Sequence, residues 1–288
     1  MPAVDSCCEE LKASLLRSRN PDGGWPYHPG KASRLEPTCW ATLALGGQDT
    51  ATALQGWPAA DGLLLERRGG SANYAFHGVA MLALRALGIE HAGGNDVLLA
   101  GLQRAKGDAL PRSKINRQDN SLQGWSWIPG TFSWVEPTAW CLLALKRWAR
   151  APERKVDVGR IHEAERLLTD RCSRTGGWNY GNSNMLGQEL KSFVPTTAIA
   201  LLAMQDKGAL PEIQRSIDFL EREGIRERSG SALALALIAL GAFARPLSGV
   251  REGLLAQVPT TLEFGNQMSV AMSLYSLGAG GKHAAFIL

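Results

Sequence analysis

One pattern occurs three times in this chain and decides how it folds. Asp22-Gly23-Gly24-Trp25 precedes Leu35-Glu36-Pro37-Thr38-Cys39-Trp40, Leu122-Gln123-Gly124-Trp125 precedes Val135-Glu136-Pro137-Thr138-Ala139-Trp140, and Thr175-Gly176-Gly177-Trp178 precedes Phe193-Val194-Pro195-Thr196-Thr197-Ala198. A glycine-tryptophan turn followed by a proline-started apolar run reads as one helical hairpin used repeatedly, and such units bury their faces only by stacking on one another. Between the copies lies a shorter unit, Gln55-Gly56-Trp57, leading to a helix over 72–87. Two later units without the Trp turn pair helices near 211–223 with 230–242 and 248–256 with 265–278.

Each Pro stands in a first helical turn, where no amide bond is lost, and the Ala, Leu and Cys residues after it propagate the helix. The segment from Pro137 to Trp148 is apolar nearly all round, whereas 157–171 places Val158, Ile161, Leu167 and Leu168 on one stripe. The first kind of helix is buried and the second faces water on one side. Their alternation predicts an all-α toroid of six hairpins, with an inner ring of six helices inside an outer ring of six, spanning 1–288 as one domain.

Composition excludes several classes. The chain has 288 residues, 45% hydrophobic and 20% charged, which suits a packed core rather than a disordered chain. Its 31 Lys and Arg against 27 Asp and Glu leave +4, with no lysine-rich run, so no nucleic-acid footprint is present. Five cysteines form neither an even framework nor a C-x-x-C pair, which fits a reducing compartment. The first residues lack a basic start and an apolar core, and the most apolar run, 232–244, is too short to span a bilayer. A cytoplasmic location follows as the expectation, with peripheral membrane contact left open.

The repeats resemble the α/α toroid of squalene and terpenoid cyclases and of protein prenyltransferase β subunits. The likeness extends over nearly the whole chain. The D-G-G-W turns resemble the Q-W repeats of the cyclases, with the Gln kept at Gln55 and Gln123. This resemblance implies a central cavity whose mouth is ringed by inner-helix starts and the loops before them, and it singles out Glu36, Glu136 and Val194, the residues before each Pro. Two long loops, 107–136 and 172–194, carry Trp125, Trp127, Phe132, Trp134, Trp178, Tyr180 and Phe193 toward that mouth. The ligand wall expected is Trp40, Trp127, Trp134, Trp140, Tyr180 and Phe193, an aromatic surface suited to an isoprenoid or another elongated apolar molecule. The three turn tryptophans read instead as packing residues.

Val135-Glu136-Pro137-Thr138-Ala139 resembles the D-x-D-D-T-A or D-C-T-A segment that supplies the cyclase acid, which makes Glu136 the candidate proton donor. Pro137 replaces the neighbouring Asp and no second carboxylate precedes it. Glu36-Pro37-Thr38 repeats the triplet, so both glutamates also read as helix-start residues placed at the positive end of the dipole. The cyclases usually add a second helical domain, which this sequence lacks.

The prenyltransferases hold zinc through Asp, Cys and His, and this resemblance implies zinc at Glu36, Cys39 and His77, where Asn73-Tyr74-Ala75-Phe76-His77 is similar to their F-Y-H-T-C stretch. Glu36-x-x-Cys39 is one residue off the Asp-x-Cys spacing, and Asp170-Arg171-Cys172 has the spacing but ends an outer helix. Arg104, Lys106, Arg112, Lys114 and Arg117 run into the long loop of the third unit, 107–136, where they read as an anion contact or a solvated basic face; no D-D-x-x-D magnesium motif accompanies them. The expectation is therefore a toroid that binds an isoprenoid-like ligand, acting on it through Glu136 or a zinc ion, or else a non-catalytic scaffold for a lipid or protein partner. A third alternative is a ring plugged by Trp40 and Trp140.

Overall fold

The computed structural model describes residues 4–46, 50, 52–113, 115, 117–151, 153–278 and 283–288; Lys114 lies outside them. Eleven α-helices are present among the described residues: α1 (Val4–Ser18), α2 (Leu35–Leu45), α3 (Tyr74–Leu87), α4 (Asn95–Arg104), α5 (Val135–Ala149), α6 (Val158–Arg171), α7 (Val194–Ala203), α8 (Pro211–Gly224), α9 (Gly230–Ala242), α10 (Ser248–Phe264) and α11 (Gln267–Gly278). Helices α2, α3, α5, α7, α9 and α11 pack in that order, and α11 returns onto α2 to close the inner ring. Helices α4, α6, α8 and α10 lie outside it, and α1 packs on α10 and α11. Sheet is confined to one small hairpin, Asn184–Met185 with Gln188–Glu189, in the fourth loop.

Burial separates the rings as the apolar patterns predict. Every residue from Ala232 to Leu240 of α9 is buried, whereas α8 buries only Ile213, Ser216, Ile217, Leu220 and Gly224. Helix α10 runs beyond the expected end near 256, through Pro259. That proline is exposed, so water can serve the carbonyl that loses its partner. In the second unit the expected outer helix is reduced, among the described residues, to a 3-10 turn over Thr52–Gln55 and a helical Thr50.

The Gly-Trp turn is a structural latch with the same bonds in all three copies. The indole N–H of Trp25, Trp125 and Trp178 donates to the carbonyl of Leu15, Leu102 and Leu168, at 2.8, 2.9 and 2.7 Å. Their backbone N–H groups donate to the hydroxyls of Thr38, Thr138 and Thr197, at 2.9, 3.0 and 3.0 Å. Each Trp thus ties the last turn of an outer helix to the first turn of the next inner helix, serving groups that helix ends leave without partners. The preceding glycine is required for the close approach: a Cβ on Gly124 would lie 2.2 Å from Thr138 Oγ1.

The second unit builds its turn from other residues than those expected. Asp61-Gly62-Leu63-Leu64 matches Asp22-Gly23-Gly24-Trp25: Gly62 and Gly23 have φ of +81° and +83°, and Asp61 and Asp22 each accept the N–H two residues on at 3.1 Å. Gln55-Gly56-Trp57 lies ahead of this turn, and Trp57 is half-buried.

The centre of the ring is filled. Trp40 and Trp140, only 1% and 2% exposed, meet edge to face across it with centroids 6.0 Å apart. The tail residue Phe286, fully buried, stacks on Trp40 at 5.1 Å and touches Trp140 and Tyr275. Gln205 donates to the Phe286 carbonyl at 2.7 Å and accepts the Leu288 N–H at 3.0 Å, while Arg147 donates to the Ile287 carbonyl. Arg147, Gln205 and Tyr275 all lie at the C-terminal ends of inner helices, so the tail closes the end of the ring opposite the Glu36 and Glu136 mouth.

Candidate functional site

The mouth begins with the register that the Thr latches fix. Thr38, Thr138 and Thr197 are equivalent, so Pro195, not Val194, stands in the place of Glu36 and Glu136. Among the candidates before each Pro, only the two glutamates carry a titratable group into this position. Both are half-buried, and protein encloses each carboxyl on most sides. Burial is the largest cause pushing Glu36 up to about 8; a hydrogen bond from Tyr27 opposes it, and the charges of Glu136 and Glu66 add to it. The Tyr27 hydroxyl donates to Glu36 Oε2 at 2.6 Å. Burial likewise pushes Glu136 up to about 7, against a hydrogen bond from Trp140. Two carboxylic acids with raised pKa values thus share the mouth, Glu36 mostly protonated and Glu136 about half protonated near pH 7.

Below them, among the described residues, aromatic side chains pack the ring. Trp40 and Trp140, expected as ligand wall, pack against each other and Phe286 and form a buried floor, which corrects that expectation. Trp127 is half-buried, edge-on to Phe76 at 6.1 Å, and its carbonyl accepts the Tyr74 N–H at the start of α3.

The remaining aromatic candidates converge elsewhere on the same face. Trp134, Tyr180 and Phe193 line a cavity of about 530 Å³ between the third and fourth long loops. Phe132 stacks on Trp134 at 4.9 Å, and Tyr180 tilts against Phe193 at 5.3 Å. Phe132, Tyr180 and Phe193 stay substantially exposed, an unusual state for three large rings in one place. Leu110, Leu122 and Leu190 complete the apolar lining, with Asp108, Asn120, Asn179 and Asn182 on its polar side. Trp134 and Phe193 occupy the cap positions of α5 and α7, so the loops hold this groove at the starts of two inner helices.

Leu110, Leu122, Leu190 and Tyr27 were not foreseen as site residues. Tyr27 had a signal: it follows Trp25 by two residues, as Trp127 follows Trp125 and Tyr180 follows Trp178. The exposed basic residues Arg104, Lys106, Arg112 and Arg117 do not line the groove, whose cations are Arg171 and Lys191. Arg171 is paired with Asp170.

The expected zinc ligands do not assemble. His77 Nδ1 accepts the Leu64 N–H at 2.9 Å and Nε2 lies 3.0 Å from the Leu98 carbonyl, so neither ring nitrogen is left for a metal. Burial lowers its pKa to about 4. Cys39 is fully buried, and burial pushes its thiol far up, whereas a zinc ligand must be a thiolate. Among the described residues no group of three or more His, Cys, Asp or Glu is placed to hold a metal ion. The residues therefore do not fit zinc.

By sequence the chain matches no family model and no curated protein. Its structure is similar to the type II terpene cyclase MstE from Scytonema, with 15% identity over 98% of this chain and 100% of that one at a TM-score of 0.59. A single-residue variant of that cyclase, in complex with its substrate geranylgeranyl dihydroxybenzoate, aligns over 97% of both chains at 15% identity with a TM-score of 0.53. The α-1,6-mannanase GH76A from Salegentibacter sp. HEL1_6 is similar at 10% identity over 96% of this chain and 99% of that one, with a TM-score of 0.65. No helix among the described residues is long and apolar enough to cross a membrane. One closed ring of inner helices thus hosts isoprenoid chemistry in one neighbour and glycan chemistry in another, and this chain is a divergent protein of the α/α-toroid fold.

Proposed function

We propose that this toroid binds an elongated apolar ligand of the isoprenoid class in the groove between its third and fourth loops. The carrying observation is the convergence of Phe132, Trp134, Tyr180 and Phe193, with three leucines, around one open cavity of about 530 Å³, a size within the usual range for small-ligand sites. The geranylgeranyl substrate of the cyclase neighbour supports a ligand of this kind. The test is titration of a fluorescent geranylgeranyl probe into the protein and into Tyr180→Ala and Phe193→Ala. Saturable binding that weakens about tenfold in each variant supports the groove. Absence of binding to the unaltered protein overturns it and favours the scaffold reading.

A second reading assigns an acid role to Glu136, favoured by burial raising its carboxyl to about 7, so that a large fraction carries a proton near neutrality. In that step the acid gives its proton to an alkene of the ligand, the next alkene captures the cation to close a ring, and loss of a proton to the Glu136 carboxylate restores the acid. The product is an isomer of the ligand. A raised pKa weakens the acid, while an alkene demands a stronger one, so this reading stands second to binding. It predicts that Glu136→Gln abolishes conversion of geranylgeranyl compounds, measured by mass spectrometry of extracts. Unchanged conversion in that variant removes the acid role.

A further inference from the structure

Around most of the mouth, the long loop of one unit serves the inner helix of the unit before it. The first N–H of α2, α3, α5 and α11, from Leu35, Tyr74, Val135 and Gln267, donates to the carbonyl of Glu66, Trp127, Tyr180 and Tyr27. The last two units have no such loop, so nothing of this kind covers the start of α9. In its place is a cavity of about 570 Å³ at Gly230, bounded by the end of α10, the start of α11 and the first loop.

The chemistry of this cavity is uniform. Its lining contributes the Arg228 guanidinium, His28, the Gln257 and Asn266 amides and the hydroxyls of Thr261 and Ser269, and no carboxylate. The neighbouring Glu227 turns its carboxylate to the backbone N–H groups of Arg228 and Ser229. Thr261 is only 6% exposed, and its hydroxyl makes no bond to another described residue and opens onto this cavity. It projects against the start of α9, and a Cβ at Gly230 would fall 2.3 Å from Thr261 Oγ1. The free hydroxyl of Thr261, the Gln257 and Asn266 amides, the Arg228 guanidinium, which spends one N–H on the Glu227 carbonyl, and the positive end of a 13-residue helix therefore face one space whose lining has no carboxylate.

We propose that this cavity binds the oxyanion of an organic phosphate. Tetrahedral phosphate oxygens accept from several converging donors at once, and a helix start with an arginine beside it is suited to that charge. The cavity is larger than a bare phosphate needs, and Phe264, 75% exposed, stands on its lining as an apolar surface for the organic part. The site is independent of the aromatic groove. The loss of the Trp turns in the last two units acquires a use, because a loop over Gly230 would occupy this space.

The test is isothermal titration with pyrophosphate, and then with geranyl diphosphate, at low and at physiological salt. Arg228→Gln and Thr261→Val are the variants. The expected result is saturable pyrophosphate binding that weakens about tenfold or more in each variant, while the unliganded melting temperature stays unchanged. Arg228 is exposed, so its variant folds even if Thr261→Val does not. No saturable binding, or equal binding by both variants, overturns the site. If geranyl diphosphate binds more tightly than pyrophosphate and Tyr180→Ala removes the difference, the phosphate belongs to the ligand of the groove. If Tyr180→Ala leaves geranyl diphosphate binding unchanged, the phosphate ligand is a separate one, and the site stands in both cases.

Discussion

The Leu64 N–H donates to His77 Nδ1 at 2.9 Å, and this bond takes the place in the second unit that the Trp25 N–H to Thr38 Oγ1 bond takes in the first. His77 is thus the latch residue of its unit, with a ring instead of a hydroxyl. His77→Ala leaves the buried Leu64 N–H without its acceptor and the Leu98 carbonyl without its partner, at a cost of about 2–4 kcal/mol. The urea midpoint measures it. A chelator added to the unaltered protein leaves that midpoint where it was, and a downward shift would reinstate a metal at His77.

Gly124→Ala strikes the same device in the third unit. The added methyl meets the Thr138 side chain at 2.2 Å, so either the Trp125 N–H bond to Thr138 or the α5 start must give way. A loss of about 2–3 kcal/mol is expected, against a small effect for an exposed surface substitution. Thermal unfolding followed by tryptophan fluorescence reads it directly.

Stability is expected to fall on both sides of a mildly acidic optimum. Glu36 and Glu136 have raised folded pKa values of about 8 and 7; their contribution is complete below the ordinary carboxylate range and is lost as pH rises through those values. His77 and His283 have lowered folded values of about 4; their contribution is complete above the ordinary histidine value of about 6.5 and is lost as pH falls toward 4. Each shift is worth on the order of 3 to 5 kcal/mol at full extent. Glu36→Gln combined with Glu136→Gln flattens the alkaline arm of a denaturation series from pH 4 to 9 and leaves the acid arm in place. An alkaline arm that survives the double variant excludes the glutamates as its cause.

Phe286→Ala removes the ring that backs Trp40 and Trp140. A cost of about 3–5 kcal/mol is expected for emptying so large a buried site. Water or a small apolar solute then reaches the two indoles, and tryptophan emission shifts to the red. Unchanged emission and stability would mean that the tail does not sit in the ring in solution.

The concentric rings were legible because their cause is local: the all-apolar run of α9 and the single stripe of α8 each state their own burial. The Gly-Trp turn was legible for the same reason, its Gly-Trp pair and the Pro-Thr start of the following helix recurring in each copy. The second unit was misread because the eye follows Trp57, while the bonds follow the Asp61-Gly62 turn chemistry and accept Leu64 in the place of Trp. The zinc trio failed on direction. His77 turns its ring to Leu98 of the outer ring, which spacing alone does not reveal. Trp40 and Trp140 were legible as a plug, but the place of Phe286 beside them was out of reach of any local rule, since Phe286 meets Trp40 only after the whole ring has closed between them.

The chain of caps around the mouth ends where it started: the first loop, through Tyr27, serves the last inner helix at Gln267, and α1 packs on α11. An open stack of repeats can fray from either end, losing one unit at a time. A stack whose first member holds its last has no end from which to fray. Unfolding any unit then exposes a face on each of two neighbours, so the units must melt together, in a single sharp transition. A circular permutant cut between the outer and inner helix of any unit would break a connection but not that circle.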